Sequence, residues 1–139
     1  MTLIENCDDE VVSWASQHLK QTIFPPYRAF GIAENGEMIG AMVFNGWNGA
    51  NMEITVYGPG AMTKSAISFA YDYIFNQAGA IRLTARTRRN NLLMRKLLPR
   101  LGFKYEGTMK KYFGPEKADD ALLFVLWPEN GRKLINGRF

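Results

Sequence analysis

Glu53 stands in the middle of an otherwise strand-like stretch, which reads NMEITVY over residues 51–57. Acidic side chains are disfavoured inside strands, so a carboxylate at this position is a candidate general base, acting on a proton directly or through an ordered water. The alternative is an outward-facing carboxylate on a half-exposed strand. The sequence leaves both interpretations of Glu53 open.

The chain passes from that strand into a helix through two glycines, in the segment VYGPGAMTKSA at residues 56–66. Glycine allows a ligand to approach the backbone closely, and the free N–H groups that begin a helix attract anions. The pattern predicts a phosphate-binding turn with Thr63 and Lys64 beside it. A tight connection with Pro59 as a breaker explains it equally well, and the glycine-lysine-serine/threonine signature of a nucleotide P-loop is missing.

Basic residues are concentrated in one part of the chain. The net charge is +4, from 17 basic and 13 acidic residues, and Glu106 is the only acid within residues 82–111. Such a stretch is either a solvated face or a surface that meets phosphate groups. Composition does not separate a nucleotide cofactor from a nucleic acid. The basic residues are Arg82, Arg86, Arg88, Arg89, Arg95, Lys96, Arg100, Lys104, Lys110 and Lys111.

Periodicity and turn signals predict the elements that hold these residues. Asn35-Gly36, the strongest two-residue turn signal, closes a hairpin over residues 28–47. The other predicted elements are a helix capped by Asp8 or Asp9 and running to about Lys20, a strand over 51–57, a helix over 62–78 that Gly79 ends, a strand over 80–88, a helix over 91–98 that Pro99 ends, and two closing strands over 103–113 and 119–127.

This order predicts an α/β (α+β) fold, with a mainly antiparallel mixed sheet, one central parallel strand–helix–strand crossover and flanking helices. Ligands of such sheets bind at the carboxyl ends of strands where a crossover helix begins, here at residues 57–65. Residues 1–139 are expected to form one domain, in which residues 128–139 are a C-terminal surface tail or a short edge element.

Composition limits the classes of protein. Hydrophobic residues make up 47% and charged residues 22%, as in globular proteins. No apolar run reaches the roughly 20 residues that a membrane span needs. A lone Cys7 and an acidic amino-terminal segment predict a reducing, cytoplasmic location without a membrane. No metal site is predicted, and exposed edge strands would allow a homodimer.

The segment from Asn91 onward, NLLMRKLLPRLGFKYEG, resembles the acyl-CoA-dependent N-acyltransferases of the GNAT superfamily, and most of all their ribosomal-protein alanine acetyltransferase branch. The segments AISFAYDYIFNQAGAIRLTART and DDALLFVLW are similar to a helix and two strands of that family. The resemblance covers residues 28–127 and is most specific over 65–107. The matching positions in the first segment are Asn91, Leu97, Leu101, Gly102, Phe103, Glu106 and Gly107.

The resemblance implies that acetyl-CoA is the cofactor. Asn91 would hydrogen-bond it near its reacting end, backbone N–H groups around Val56 and Tyr57 would polarise the thioester carbonyl, and Arg88, Arg89 or Lys96 would lie near its phosphates. The cofactor-binding residues expected on this basis are Val56, Tyr57, Gly58, Gly60, Ala61, Met62, Thr63, Lys64, Asn91, Met94 and Arg95.

The sequence departs from the family at four places. The pyrophosphate turn begins with Gly58 where relatives have Gln or Arg, and it has Ala61 where they have a glycine. Met94 and Leu98 stand where relatives carry a serine or a tyrosine that protonates the leaving thiolate. Tyr57, Tyr105 and Tyr112 are the candidates for this acid, and ordinary aromatic packing is the alternative role of each. Glu53, Tyr57 and Tyr105 therefore form the predicted catalytic set.

The predicted function is transfer of an acetyl group from acetyl-CoA to a primary amine of a protein, peptide or small molecule. Deprotonating a lysine amine at pH 7 costs about 4–5 kcal/mol but an α-amine only about 1 kcal/mol, so one modest base suits an α-amine such as a protein N-terminus better. One alternative is a weak or inactive relative that binds CoA or serves as an interaction module. Another is a nucleic-acid-binding module on the basic stretch.

Overall fold

The computed structural model of the chain describes residues 1–135. Short 3₁₀ turns lie at Pro59–Met62 and Lys117–Asp119, and a π-helical segment, Asp72–Gln77, extends the second helix. The strands and helices are β1 (Thr2–Ile4), α1 (Asp8–Leu19), β2 (Tyr27–Glu34), β3 (Glu37–Asn45), β4 (Asn51–Tyr57), α2 (Lys64–Tyr71), β5 (Arg82–Arg88), α3 (Leu92–Arg100), β6 (Lys104–Met109), β7 (Ala121–Leu126) and α4 (Pro128–Ile135).

The strands form one seven-stranded sheet in the order β1-β2-β3-β4-β5-β7-β6. Within residues 1–135, β4 and β5 are the one parallel pair, and the other neighbours are antiparallel. The crossover between them runs through α2, because a parallel connection needs a long return path. The predicted mixed sheet with a central crossover and flanking helices is confirmed.

The hairpin of β2 and β3 forms where the sequence predicts it. Asn35 and Gly36 both have positive φ angles, 54° and 80°, as a two-residue turn between twisted strands requires. Along β3, side chains alternate between the two faces of the sheet. Met42 and Phe44 belong to the larger core, under α2 and α3, whereas Ala41 and Val43 belong to a smaller core under α1.

The structure corrects three details of the predicted helices. Helix α1 has Cys7 as its N-cap, with no side-chain cap bond, so neither Asp8 nor Asp9 caps it. The 62–78 helix begins at Lys64, after a 3₁₀ turn. Pro99 lies inside α3, which continues to Arg100, because a proline in the last turn removes only one backbone hydrogen bond.

The predicted surface tail begins with a helix instead. Helix α4 packs beside α2, where the Tyr71 hydroxyl donates to the carbonyl of Pro128 at 2.8 Å. Residues 136–139 of that tail lie outside the described residues. No helix within residues 1–135 has the length and apolar character to span a membrane.

Candidate active site

Strands β4 and β5 separate before they end. Their parallel pairing runs from Asn51↔Arg82 to Ile54↔Ala85, although each strand continues for three more residues. Over those residues β4 stays paired with β3, and β5 stays paired with β7. A wedge-shaped gap therefore opens in the middle of the sheet, with backbone groups of the two strands facing each other across it.

An apolar cleft lies on one side of the gap, between α2 and α3. It opens to solvent at its mouth. Its walls come from both diverging strands and both helices, so it follows the gap along its length. Characteristic lining residues are Ile54, Val56, Ala61, Met62, Ile67, Ala85, Asn91, Met94 and Leu97.

A polar cleft lies on the opposite face of the sheet, beside the C-terminus of α1. Thr55 of β4 and Arg86 and Arg88 of β5 line both clefts. The two clefts consequently meet at the gap between the strands. Gln21 and Phe113 also line both clefts, and the other residues of the polar cleft are Lys20, Thr22, Ile23, Phe24, Asn45, Glu53 and Tyr112.

Glu53 points into the polar cleft and is held there by Arg86. The Arg86 Nη1 atom donates to both carboxylate oxygens, at 2.6 and 2.7 Å, and the Glu53 side chain is 19% exposed. Burial raises the pKa of Glu53, while the charge and hydrogen bonds of Arg86 oppose that rise. The carboxylate is therefore a partly buried group in a cleft, not an outward-facing surface charge.

Tyr112 is the tyrosine that the structure brings to Glu53. Its hydroxyl lies 3.3 Å from Arg86 Nη1, and the guanidinium lies 5.2 Å from its ring centroid. Arg86 was not in the predicted catalytic set, and Tyr112 was one of the three acid candidates but also outside that set. Period-two alternation in RLTARTR puts Arg86 and Thr84 on one face of β5, but only the pairing of Thr84 with Glu53 in the sheet shows that this face meets Glu53. No sequence pattern marks Tyr112.

Tyr57 and Tyr105, the two acid candidates of the predicted catalytic set, lie outside the polar cleft. Tyr57 packs against the rings of Trp14 and His18, at centroid distances of 5.4 and 5.0 Å. Tyr105 lies on the edge strand β6, 58% exposed, with its hydroxyl 2.5 Å from Thr108 Oγ1. Among the described residues, neither tyrosine lines either cleft.

No protein-family model matches the chain, and no curated protein is detectably similar in sequence. Solved structures are similar in fold. A mutant of spermidine N-acetyltransferase SpeG from Vibrio cholerae superposes over 100% of both chains, with a TM-score of 0.72 and 14% identity. RimJ from Mycobacterium smegmatis, in complex with CoA-disulfide, matches 98% of this chain and 88% of its own, with a TM-score of 0.69 and 19% identity.

Ribosomal-protein-S5-alanine acetyltransferase from Vibrio fischeri matches 93% of both chains, with a TM-score of 0.67 and 13% identity. A GCN5-related N-acetyltransferase (GNAT) from Brucella melitensis matches 80% of this chain and 55% of its own, with a TM-score of 0.64 and 20% identity. The chain has the GNAT fold. The resemblance inferred from residues 28–127 is thereby confirmed at the level of the fold.

The turn that leads into α2 of this GNAT fold is packed tightly against β3. Gly58 has φ +88°, and a Cβ there would lie 2.4 Å from the carbonyl oxygen of Ile39. Gly60 is buried beside Ile39 and Ile32. Both glycines are required by close packing, whether or not the turn binds phosphate.

Thr63 is the N-cap of α2. Its Oγ1 accepts from the Ala66 N–H at 3.2 Å and donates to the Gly60 carbonyl at 3.3 Å. The hydroxyl predicted beside the phosphate thus has two backbone partners. Lys64 is exposed at the first position of the helix.

The packing of Gly58 gives a testable prediction. Gly58→Ala should destabilise the protein by about 1–3 kcal/mol more than Gly79→Ala, measured by urea unfolding, because both residues have similar positive φ angles but only Gly58 lacks room for a Cβ. Gly79 has nothing within 4 Å of the added atom. Equal losses in the two variants would show that the turn is not packed against β3 as described.

The other residues predicted to contact a cofactor lie at the start of α3. Asn91 and Met94 line the apolar cleft, and Asn91 Oδ1 accepts from the Met94 N–H at 3.2 Å as the N-cap of the helix. Arg95 lies outside the cleft, with Nη1 donating to the Arg89 carbonyl at 3.0 Å. The structure therefore brings Val56, Asn91 and Met94 together along one cleft, but not Arg95.

Four arginines of the basic stretch are neutralised within the chain. The pairs are Arg82–Glu106, Arg86–Glu53, Arg88–Asp119 at 3.0 Å and Arg89–Asp120 at 3.5 Å. Arg88 also lies over the ring of Phe113, 4.7 Å from its centroid. Two of these pairs, with Asp119 and Asp120, connect β5 and the residue after it to the loop between β6 and β7, and the other two connect strands of the sheet. Four of the ten basic residues therefore have partners within the chain, which weakens the nucleic-acid alternative.

Proposed function

We propose that this protein is an acetyl-CoA-dependent N-acyltransferase, which transfers an acetyl group to a primary amine. The observation that carries the proposal is the gap between β4 and β5, because it joins an apolar cleft on one face of the sheet to a polar cleft that contains a carboxylate on the other. Such a gap allows two substrates to approach from opposite faces and to react in the middle.

The apolar cleft fits the acyl-CoA substrate. Its walls suit an extended aliphatic chain, and the diverging backbones of β4 and β5 offer hydrogen-bonding groups to amides along that chain. Val56, Ala61, Met62, Asn91 and Met94 would line the bound cofactor. When bound, acetyl-CoA supplies a thioester whose acyl carbon is open to attack by an amine.

The residues at the gap suit this chemistry. Backbone N–H groups of β4 near Val56 would polarise a carbonyl held in the gap. Glu53 would receive the proton of the attacking amine, and Arg86 would hold its carboxylate in one orientation. The Tyr112 hydroxyl, on the same arginine, is the best-placed proton donor of the polar cleft.

Calorimetric titration with acetyl-CoA tests the cofactor site. Met94→Trp should weaken binding at least about tenfold, since its indole would fill the apolar cleft and a steric cost of only about 1.4 kcal/mol produces that change. Leu93→Trp is the matched control, because Leu93 is the neighbouring residue on α3 but is 65% exposed and outside the cleft.

A second assay tests transfer itself. The wild-type protein is mixed with acetyl-CoA and primary amines, and acetylated products are detected by mass spectrometry together with release of free thiol. Cofactor binding without acetylation of any amine would favour the inactive, CoA-binding alternative. No binding at millimolar acetyl-CoA would overturn the proposed function.

A further inference from the structure

The polar cleft carries an excess of positive charge. Three cationic side chains line it, those of Lys20, Arg86 and Arg88, against the single carboxylate of Glu53. Charges that line a cleft act on a ligand more strongly than charges on an open surface, because the cleft walls exclude water. Because the excess is positive, the cleft favours a ligand that carries a negatively charged group in addition to its amine.

Part of the charge is already compensated within the chain. Arg86 holds Glu53, and Arg88 Nη1 donates to Asp119 Oδ1 at 3.0 Å. Lys20 forms no ion pair with any residue in the described part of the chain. One cation of the cleft is therefore uncompensated, and the Arg88 guanidinium has further N–H donors beyond the one that bonds Asp119.

This arrangement is unfavourable for a polyamine acceptor, the kind of substrate for which the SpeG enzyme is named. A second ammonium group in the cleft would meet Lys20 and Arg88, and the carboxylate of Glu53 is already shared with Arg86. A carboxylate on the acceptor would instead find charge-assisted donors at Lys20 and Arg88.

We propose that the acceptor carries a carboxylate close to its primary amine, as an α-amino acid does. The carboxylate is bound by Lys20 and Arg88, and the amine faces Glu53. This inference rests on the proposed function and narrows its substrate. The transfer forms a nitrogen–carbon bond and breaks the carbon–sulfur bond of the thioester, and the proton that the amine loses to Glu53 balances the proton that the released thiol gains.

The test compares acetylation of the common L-amino acids with acetylation of the corresponding amino acid amides and of spermidine. The best amino acid should exceed its amide by roughly tenfold or more in kcat/KM, mostly through KM, because the amide lacks the charged group. The comparison is stringent, since the amine of an amino acid amide has a lower pKa and is more often neutral at pH 7.

Lys20→Glu should abolish this preference without changing the affinity for acetyl-CoA. Lys104→Glu is the matched control, because Lys104 is also exposed but lies on β6, outside both clefts, and it should keep the wild-type ratio. If Lys20 had only a structural role, Lys20→Glu would lower kcat/KM for charged and uncharged acceptors alike and would leave their ratio unchanged.

Each other result overturns the inference. Amides or spermidine acetylated as well as amino acids would overturn it and leave the proposed function standing. Acetyl-CoA binding without acetylation of any free amino acid would also overturn it. Absence of both acetyl-CoA binding and acetylation would overturn the inference and the proposed function together.

Discussion

Glu53→Gln is expected to lower kcat by about 100-fold or more, which is the usual contribution of a general base. The carboxylate lies in the cleft where an amine would approach, and glutamine keeps its shape but accepts no proton at neutral pH. The affinity for acetyl-CoA should stay near that of the wild type, because Glu53 does not line the apolar cleft. Steady-state kinetics and calorimetry measure the two effects separately.

Glu106→Gln is the matched control for this variant. Glu106 is also paired with an arginine, Arg82, but lies on β6 and lines neither cleft within residues 1–135. Its replacement should leave kcat within about twofold of the wild-type value. A surface ion pair contributes at most about 1 kcal/mol to stability, and this pair holds no residue of the two clefts in place. Equal losses of activity in the two variants would show that Glu53 acts through structure and not as a base.

The pH profile adds an independent readout. Burial raises the pKa of Glu53, so the base loses its proton at a higher pH than an ordinary glutamate, whose value is 4.5. Below that raised pKa, log kcat/KM should rise with a slope of about two, because the amine and Glu53 must both lose a proton, and above it with a slope of about one. Glu53→Gln should show a slope of about one throughout.

Phe44→Ala is expected to lower the free energy of unfolding by about 3–5 kcal/mol. Phe44 is 1% exposed and contacts the rings of Phe30 and Tyr73, and on β3 it pairs with Ile54, the last β4 residue before the gap opens. Removing the ring leaves a cavity under the strand that carries the site. Since whole domains are stable by only about 5–15 kcal/mol, this variant should lose much of its stability.

Phe24→Ala is the matched control for burial. Phe24 is 70% exposed at the polar cleft, so its replacement should change stability by no more than about 0.5 kcal/mol. Chemical denaturation of both variants gives the comparison. A loss below about 1 kcal/mol in Phe44→Ala would contradict the position of this side chain in the core.

Local signals in the sequence determined several features of this protein. The turn at Asn35-Gly36 follows from residues that tolerate positive φ, and the glycines at 58 and 60 mark the connection from β4 to α2. Hydrophobic periodicity located most of the strands and helices but missed β1 and α4, and an acid inside a strand singled out Glu53. These features depend on residues that are near one another in the chain.

The tertiary structure alone decided which residues meet at the site. Tyr57 shares a face of β4 with Glu53, but four residues along a strand span about 13 Å, and Trp14 and His18 of α1 cover its ring. Tyr105 is separated from β4 by two intervening strands, because β6 closes the sheet at its edge. Arg86 and Tyr112 reach Glu53 only through sheet order and loop placement, which depend on long-range pairing and leave no mark in local sequence.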